Sequence, residues 1–238
     1  MGAFLAVQRN KLVSQGPLPP NVIASGGFGN PIQEDIAGQP VGVFLSVPYT
    51  YKDLHHNGII TPDDITYGTK PVFVGEPGPR EELTLSPTIT IFKYFKVNAL
   101  FDRRDGSTVF DQTDEFRCLG PFQVGRDCND PKAPLKDQAA AVAFNTTGTD
   151  YGYLLNGSFW KVREVSFKLL APDSWARRYL GGRSASLTVS GRNLATWSPF
   201  RGIDPEVNEF GGSATIASAQ FFEQPPLRAW IARIDLSW

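Results

Sequence analysis

The stretch Leu83-Thr-Leu-Ser-Pro-Thr-Ile-Thr-Ile-Phe-Lys-Tyr-Phe-Lys-Val-Asn-Ala-Leu-Phe-Asp-Arg-Arg104 decides how the chain is read. Side chains of an extended strand alternate between two faces, so Leu83, Leu85, Pro87, Ile89 and Ile91 share one face while Thr84, Ser86, Thr88 and Thr90 share the other. After a two-residue turn at Lys93 and Tyr94, Phe95, Val97, Ala99 and Phe101 alternate with Lys96, Asn98, Asp102 and Arg104, with Leu100 out of phase. The pattern predicts a hairpin with one apolar and one polar face.

Working outward, the same alternation recurs upstream in Val41, Val43, Leu45, Val47, Tyr49 and Tyr51, and downstream in Ala185, Leu187 and Val189. The last segment puts Trp230, Ala232, Ile234, Leu236 and Trp238 on one side and Arg233, Asp235 and Ser237 on the other. Between 159 and 170 the phase changes: Trp160 and Val162 are apolar at even positions, Val165, Phe167 and Leu169 at odd ones. A one-residue slip inverts the faces, which predicts a β-bulge near Arg163 and Glu164. Strands are expected at 40–52, 83–92, 95–104, 158–171, 183–197 and 227–238, joined by segments of about 30, 2, 53, 11 and 29 residues. Long and short connections alternate, so antiparallel neighbours would send all long ones to one end. Residues 1–39 read as the end of a strand (Gly2 to Gln8) and an irregular Gly/Pro-rich connection, and the barrel segment is taken to run over 40–238.

The 23 basic and 24 acidic side chains give a net charge of −1, without the basic excess that a nucleic-acid partner would require. No apolar run approaches the 18 or so residues of a membrane-spanning helix. Spanning β-strands escape that criterion, because they alternate in polarity. Twelve residues at about 3.4 Å each, tilted by about 40°, rise roughly 30 Å, enough to cross the apolar band. Short turns at one end and long loops at the other are the asymmetry of outer-membrane barrels. The fold class expected is therefore all-β: about six or seven strands of a larger antiparallel transmembrane β-barrel, with long extracellular loops. A secreted β-sandwich that binds glycans, or an adhesin, is the alternative, since half-buried soluble strands alternate too. Met1-Gly-Ala-Phe-Leu-Ala-Val-Gln-Arg9 lacks the basic start and cleavage site of a signal peptide, so export requires a missing N-terminus.

Three segments carry a family resemblance: Asn156-Gly-Ser-Phe-Trp-Lys-Val-Arg-Glu-Val-Ser-Phe167, Ser190-Gly-Arg-Asn-Leu-Ala-Thr-Trp-Ser-Pro-Phe-Arg-Gly-Ile-Asp-Pro-Glu-Val-Asn208, and Pro225-Pro-Leu-Arg-Ala-Trp-Ile-Ala-Arg-Ile-Asp-Leu-Ser-Trp238. In order, spacing and position they resemble the C-terminal barrel strands of TonB-dependent outer-membrane receptors, specifically the SusC/RagA-like branch. The second matches that family's "NL…W…G.DPE" pattern through Asn193, Leu194, Trp197, Gly202, Asp204, Pro205 and Glu206. The resemblance implies a non-enzymatic uptake receptor in a Gram-negative outer membrane, for a nutrient such as an oligosaccharide or a peptide. It further implies contact with outer-membrane lipids and the barrel-insertion machinery, and TonB and a SusD-like lipoprotein as partners of the intact receptor. Trp230, Leu236 and Trp238 would serve the membrane girdles and the assembly signal of the closing strand.

Asp53-Leu-His-His-Asn-Gly-Ile-Ile-Thr-Pro-Asp-Asp64 reads onto a twelve-residue calcium loop, with Asp53, Asn57, Ile59 through its carbonyl, Thr61 and Asp64 at ligand positions. His55 replaces an oxygen ligand and Asp64 is shorter than the usual glutamate, and the competing reading is a plain turn. Calcium is the one cofactor the spacing suggests. Cys118 and Cys128 enclose nine residues, and a disulfide there would stabilise the loop by about 2 to 3 kcal/mol. No phosphate-cradling loop, Gly-x-Ser-x-Gly or catalytic triad spacing is visible. Phe200, Phe210, Phe221 and Phe222 are expected to pack loops against one another rather than to stack on a sugar.

Overall fold

The computed structural model describes residues 2–25, 29–119, 131–209 and 218–237, and places the 83–104 hairpin inside a seven-stranded sheet. The chain opens with β1 (Gly2–Val7) and passes through β2 (Asn21–Ser25), β3 (Pro31–Asp35), β4 (Val43–Ser46), β5 (Tyr49–Tyr51), β6 (Ile65–Tyr67) and β7 (Val72–Gly75). It continues with β8 (Glu81–Ser86), β9 (Thr88–Ile91), β10 (Phe95–Asp105), β11 (Thr108–Asp111), α1 (Gln112–Arg117), α2 (Leu135–Thr147) and β12 (Leu154–Asn156). β13 (Phe159–Leu170), α3 (Asp173–Leu180), β14 (Ser184–Trp197), β15 (Ala219–Gln220) and β16 (Ala229–Ser237) complete it.

The large sheet has the order β1-β8-β10-β13-β14-β16, with β9 extending β8 along β10. Every neighbouring pair is antiparallel, so the sheet is a meander whose outer strands, β1 and β16, each have one edge unpaired among the described residues. Pro87 lacks an N–H and interrupts the ladder between β8 and β9, yet the register runs on from Leu85 opposite Phe101 to Ile91 opposite Phe95. Its carbonyl still accepts from the Ala99 amide at 3.1 Å. The turn is one residue wider than the sequence suggests, and Phe92 and Lys93 take the positive φ angles that a primed hairpin turn demands.

The phase change in β13 is a bulge. Leu100 opposes Glu164 and Phe101 opposes Val162, which leaves Arg163 without a partner on β10. On the other side β14 adds a residue between Arg192 and Ala195, where Asn193 adopts φ +52, a region asparagine enters more readily than most side chains.

One face of the sheet is apolar and, among the described residues, largely uncovered. Ile234, Leu187, Leu169, Phe95 and Ile91 form one cross-strand row, and Ala232, Val189, Phe167, Val97 and Ile89 the next. Ile234 is 70% exposed, Ile89 59% and Phe167 57%, values that a soluble core strand would not show. Trp230 lies over Gly191, where a Cβ would come within 2.8 Å of the indole, and Leu236 pairs with Ala185; Trp238 lies outside the described residues. Toward the other end of this face Trp160 and Trp197 are cross-strand partners, with the Arg103 guanidinium 5.8 Å from the Trp160 ring centre. The opposite face is polar: Thr88 donates to Asn98 at 2.8 Å and Asn98 to Ser166 at 3.2 Å along one row.

Connections 8–80, 106–158 and 198–228 all leave from one end, whereas the 92–94 turn, the 171–183 connection and Ser237 lie at the other. The long connections fold into one another. β11 pairs antiparallel with β12 and parallel with β15, and Ile32, Phe44, Phe110, Ala140, Phe144 and Ala219, drawn from all three, share one core. Here the expected layout needs correction. Segment 40–52 is no wall strand: Gly42 takes φ +70 and the alternation breaks at Val47-Pro48, so it becomes β4 and β5, paired with β3, β7 and β6 inside the loop layer. β1 occupies the wall position instead, and the Gly/Pro-rich stretch joins the long-connection end.

These assignments separate Ile234 from its neighbour Asp235, which faces Ser186 on the polar side. In a receptor carrying this segment and refolded into lipid vesicles, Ile234→Arg is expected to cost about 2 to 4 kcal/mol, and Asp235→Asn much less. Equal costs would remove the lipid-facing assignment.

Candidate functional site: an ion-paired clamp between wall and loops

The bulge at Arg163 sets the site. Beyond it, Lys161 and Arg163 point to the polar face, beside Asp102 and Arg104 of β10 and Thr84 of β8. Onto this group descends Asp204-Pro205-Glu206 from connection 198–228. The Asp204 carboxylate accepts from Lys161 Nζ at 2.6 and 2.7 Å, and its Oδ1 also accepts from the Glu206 amide at 2.9 Å, which fixes the turn. Glu206 Oε2 accepts from Lys161 Nζ and from Arg163 Nη1, each at 2.6 Å, while Oε1 accepts from Arg163 Nη2 and faces Arg104 at 3.5 Å. Arg163 Nε donates to Asp102 at 2.8 Å, and Thr84 donates to the other Asp102 oxygen at 2.8 Å. The Phe159 ring forms the floor, with Lys161 Nζ 5.1 Å from its centre.

Lys161 is buried, as is Asp204, and Glu206 is largely so. Burial alone would push the Glu206 carboxyl upward. The hydrogen bonds from Arg163 and Lys161 outweigh it and hold the group below the ordinary 4.5 of a glutamate. Each charge in the group meets an opposite one, so the arrangement presents no activated nucleophile or base; it fastens a loop to a wall.

Other motif residues support the clamp. Asn193 donates from Nδ2 to the Leu227 carbonyl at 2.9 Å, and the Leu194 carbonyl accepts from Arg228 at 2.8 Å, joining β14 to the approach of β16. A Cβ on Gly202 would lie 2.3 Å from the Phe200 ring and 2.2 Å from Gln220, so only glycine fits there. Trp197 stands on the apolar face. Lys161, Arg163, Asp102 and Arg104 are not among the site residues expected from the sequence; the signal available was the pair of cations, Lys161 and Arg163, two positions apart at the point where the alternation of the strand changes phase.

The other candidate residues lie elsewhere. In loop 53–64, Asp53 accepts from the Gly58 and Asn57 amides at 2.8 and 3.2 Å, and Asn57 accepts from the Ile59 amide at 2.9 Å. Asp64 accepts from the Leu54 and Thr61 amides at 2.9 and 2.8 Å, and from the Thr61 hydroxyl at 2.8 Å. Backbone amides, that from Gly58 foremost for Asp53 and that from Leu54 for Asp64, hold both carboxyls below the ordinary aspartate range. The carboxylates therefore cap the loop's own backbone, and among the described residues no group of three or more acidic, His or Cys side chains is placed to hold a metal. Cys118 is buried at the end of α1; Cys128 lies outside the described residues. Phe221 and Phe222 pack edge-on against Phe116 at 5.5 and 6.0 Å, and Phe200 is buried, as loop-packing side chains should be; Phe210 lies outside the described residues.

An open antiparallel arc with an uncovered apolar face, a polar opposite face and a folded loop layer clamped to one end is a segment of a large transmembrane β-barrel. Comparisons agree with that class. No family model matches the chain. A curated TonB-dependent receptor, P26 of Formosa agariphila, is 28% identical over 169 residues, which cover 68% of this chain and 16% of that receptor. The solved RagAB peptide transporter has the same fold over 89% of this chain and 25% of the transporter chain, with a TM-score of 0.63 at 18% identity. The RagAB peptide importer in its open-open state matches 99% of the chain with a TM-score of 0.62 at 16% identity. The likeness is thus to a TonB-dependent receptor in sequence and to the RagAB transporter in fold, and these relatives are a receptor and transporters rather than enzymes.

Removing the cation at the centre of the clamp should release the loop. Lys161→Met leaves Asp204 buried without its partner, a loss of about 3 to 5 kcal/mol, read as faster hydrogen exchange over 198–209 with the wall strands unchanged. Adding Asp204→Leu should recover part of that loss, and a purely additive pair would count against the clamp.

Glu115, in α1, behaves oppositely to Glu206. Burial, and secondarily the Asp150 carboxylate, push it up to about 8. Between its ordinary 4.5 and about 8 the folded state binds more protons than the unfolded one, so loop-layer stability should fall as pH rises through that window. Glu115→Gln should flatten the fall, measured as melting temperature against pH; an unchanged slope would show that Glu115 does not cause it.

Proposed function

We propose that this chain forms the C-terminal part of the barrel wall, with its extracellular loops, of a TonB-dependent receptor that takes up a nutrient such as an oligosaccharide or a peptide across a Gram-negative outer membrane. The observation that carries the reading is the uncovered apolar face. Among the described residues no second sheet lies against it, which is what the sandwich alternative would require. Lipid is the solvent such a face suits, and an even alternation of lipid-facing and lumen-facing side chains is the rule in outer-membrane barrels. The 92–94 turn and α3 are then periplasmic, and the clamped loop layer is extracellular. Loops that share a core and are fastened to the lumenal wall would give a ligand, and a SusD-like lipoprotein seated over it, a firm surface, while TonB acts on the intact receptor from the periplasm. The two unpaired edges suit continuation of the sheet into the rest of a barrel.

The test is fractionation of cells expressing the receptor that carries this segment, followed by affinity purification and growth on peptides or oligosaccharides as the nutrient under limitation. The expected result is a heat-modifiable barrel in the outer-membrane fraction, a co-purified lipoprotein, and loss of growth on one nutrient class when the receptor is deleted. Recovery in buffer without detergent would favour the soluble sandwich.

A further inference from the structure

At the end of the sheet opposite the clamp, the connection between β13 and β14 folds into α3. The Trp175 and Ala176 amides donate to the Pro172 carbonyl at its start, and Gly181 ends it at φ +67, where glycine carries no Cβ penalty. At about 100° per residue, Trp175, Ala176, Tyr179 and Leu180 fall on one side of the helix and Asp173, Ser174, Arg177 and Arg178 on the other. Ala176, with its small side chain, is fully buried and lets the helix sit close to its neighbours. Between the apolar side of α3 and the strand ends runs a slot of about 460 Å³, lined by Leu169, Trp175, Leu180, Leu187, Ile234 and Leu236.

Three observations say what the slot takes. It is continuous with the lipid-facing surface, because Leu169, Leu187 and Ile234 are one of the cross-strand rows of that face. The rings of Trp175 and Tyr179 lie with centres 5.5 Å apart and remain 47% and 62% exposed, the amphipathic pair favoured at a membrane interface. Arg177, Arg178 and nearby Arg183 are exposed and form no ion pair among the described residues, although most arginines of the sheet do. An apolar slot that opens to hydrocarbon, beneath a helix whose opposite side carries arginines without ion-pair partners among the described residues, is complementary to an anionic phospholipid.

We propose that α3 and the adjoining strand ends bind one anionic glycerophospholipid of the periplasmic leaflet, an acyl chain in the slot and the phosphate against Arg177 and Arg178. The site rests on the outer-membrane barrel reading. Trp175 and Tyr179 hold the helix at headgroup depth, and the arginines extend from their apolar stems toward the phosphate plane.

The experiment uses the full receptor, extracted in detergent and examined by native mass spectrometry with added phosphatidylglycerol or phosphatidylcholine of identical chains. One phosphatidylglycerol should be retained more tightly than phosphatidylcholine. The double change Arg177→Gln and Arg178→Gln should weaken its retention by roughly 25-fold, at about a factor of five per arginine, and weaken phosphatidylcholine much less, because its choline cation offsets the phosphate charge. Unchanged heat-modifiability would show that the variant still folds. Leu180→Ser, which shortens the slot wall, should weaken both lipids. Equal retention of the two lipids by the parent receptor, or no loss in the double variant, would overturn the proposal while leaving the barrel in place. Recovery of the receptor in a buffer-soluble fraction would overturn the barrel reading, and this site with it.

Discussion

Among the described residues, rows of isoleucine, leucine, valine and phenylalanine on one face of the sheet are largely exposed, and on the barrel reading proposed above their burial in lipid is the constraint from which the other features follow. A charge on that face near the bilayer centre costs about 2 to 4 kcal/mol, and an unpaired backbone amide costs several. Together these demands leave an antiparallel ladder with strict alternation. Where strict alternation would bring a charge outward, the ladder has to change phase. In β13 the odd positions Val165, Phe167 and Leu169 face out, and without a bulge Arg163 and Lys161 would follow them into hydrocarbon. One extra residue at Arg163 turns both cations inward and brings Val162 and Trp160 outward. The bulge therefore satisfies the lipid-facing constraint and supplies the cations of the clamp in a single step.

The clamp extends that consequence into the loops. Lys161 is buried and Arg163 partly so, and Asp204 and Glu206 answer them from a connection that leaves a different strand. A buried ion pair of this kind is weak evidence for net stability, since desolvation offsets much of the attraction. Its value is positional: the turn at Asp204-Pro205-Glu206 can sit in one place only, and the connection that follows carries β15 into the loop layer beside β11. Wall geometry thus reaches the core formed by Ile32, Phe44, Phe110 and Phe144.

The wall was legible in the sequence because period-two patterning is a direct imprint of the pleat. The hairpin over 83–104, the bulge at Arg163 and the apolar side of the final strand are all read correctly from alternation. Segment 40–52 shows where that signal stops. Alternation marks a strand with two unlike environments and does not say which sheet it joins; β4 and β5 meet the loop core on one side, much as wall strands meet lipid. β1 carries only a weak signal, because six residues give too short a run for alternation to stand out. The clamp was legible only as motif residues on its acidic side. Its cations lie some 43 positions away in sequence, and nothing local links Lys161 to Asp204. The calcium-like spacing of 53–64 is ambiguous for a related reason, since the aspartate and glycine positions that arrange a metal loop also suit carboxylates that cap their own backbone.

Charge is handled differently at the two ends of the wall, and the contrast bears on what each end meets. At the loop end Lys161, Arg163, Arg103 and Arg104 are all engaged by carboxylates of the same chain, so that end is electrostatically closed and its outward surface is set by loop packing. At the turn end the chain could have paired Arg177 and Arg178 as readily, since helix positions three or four residues apart favour such pairs. The acid nearest to those positions is Asp173, four residues before Arg177, and the two form no ion pair. Arginines without ion-pair partners among the described residues, beside a tryptophan, a tyrosine and an apolar slot, leave that end electrostatically open, and on the barrel reading proposed above the side it opens to is the one along which the wall would meet the membrane.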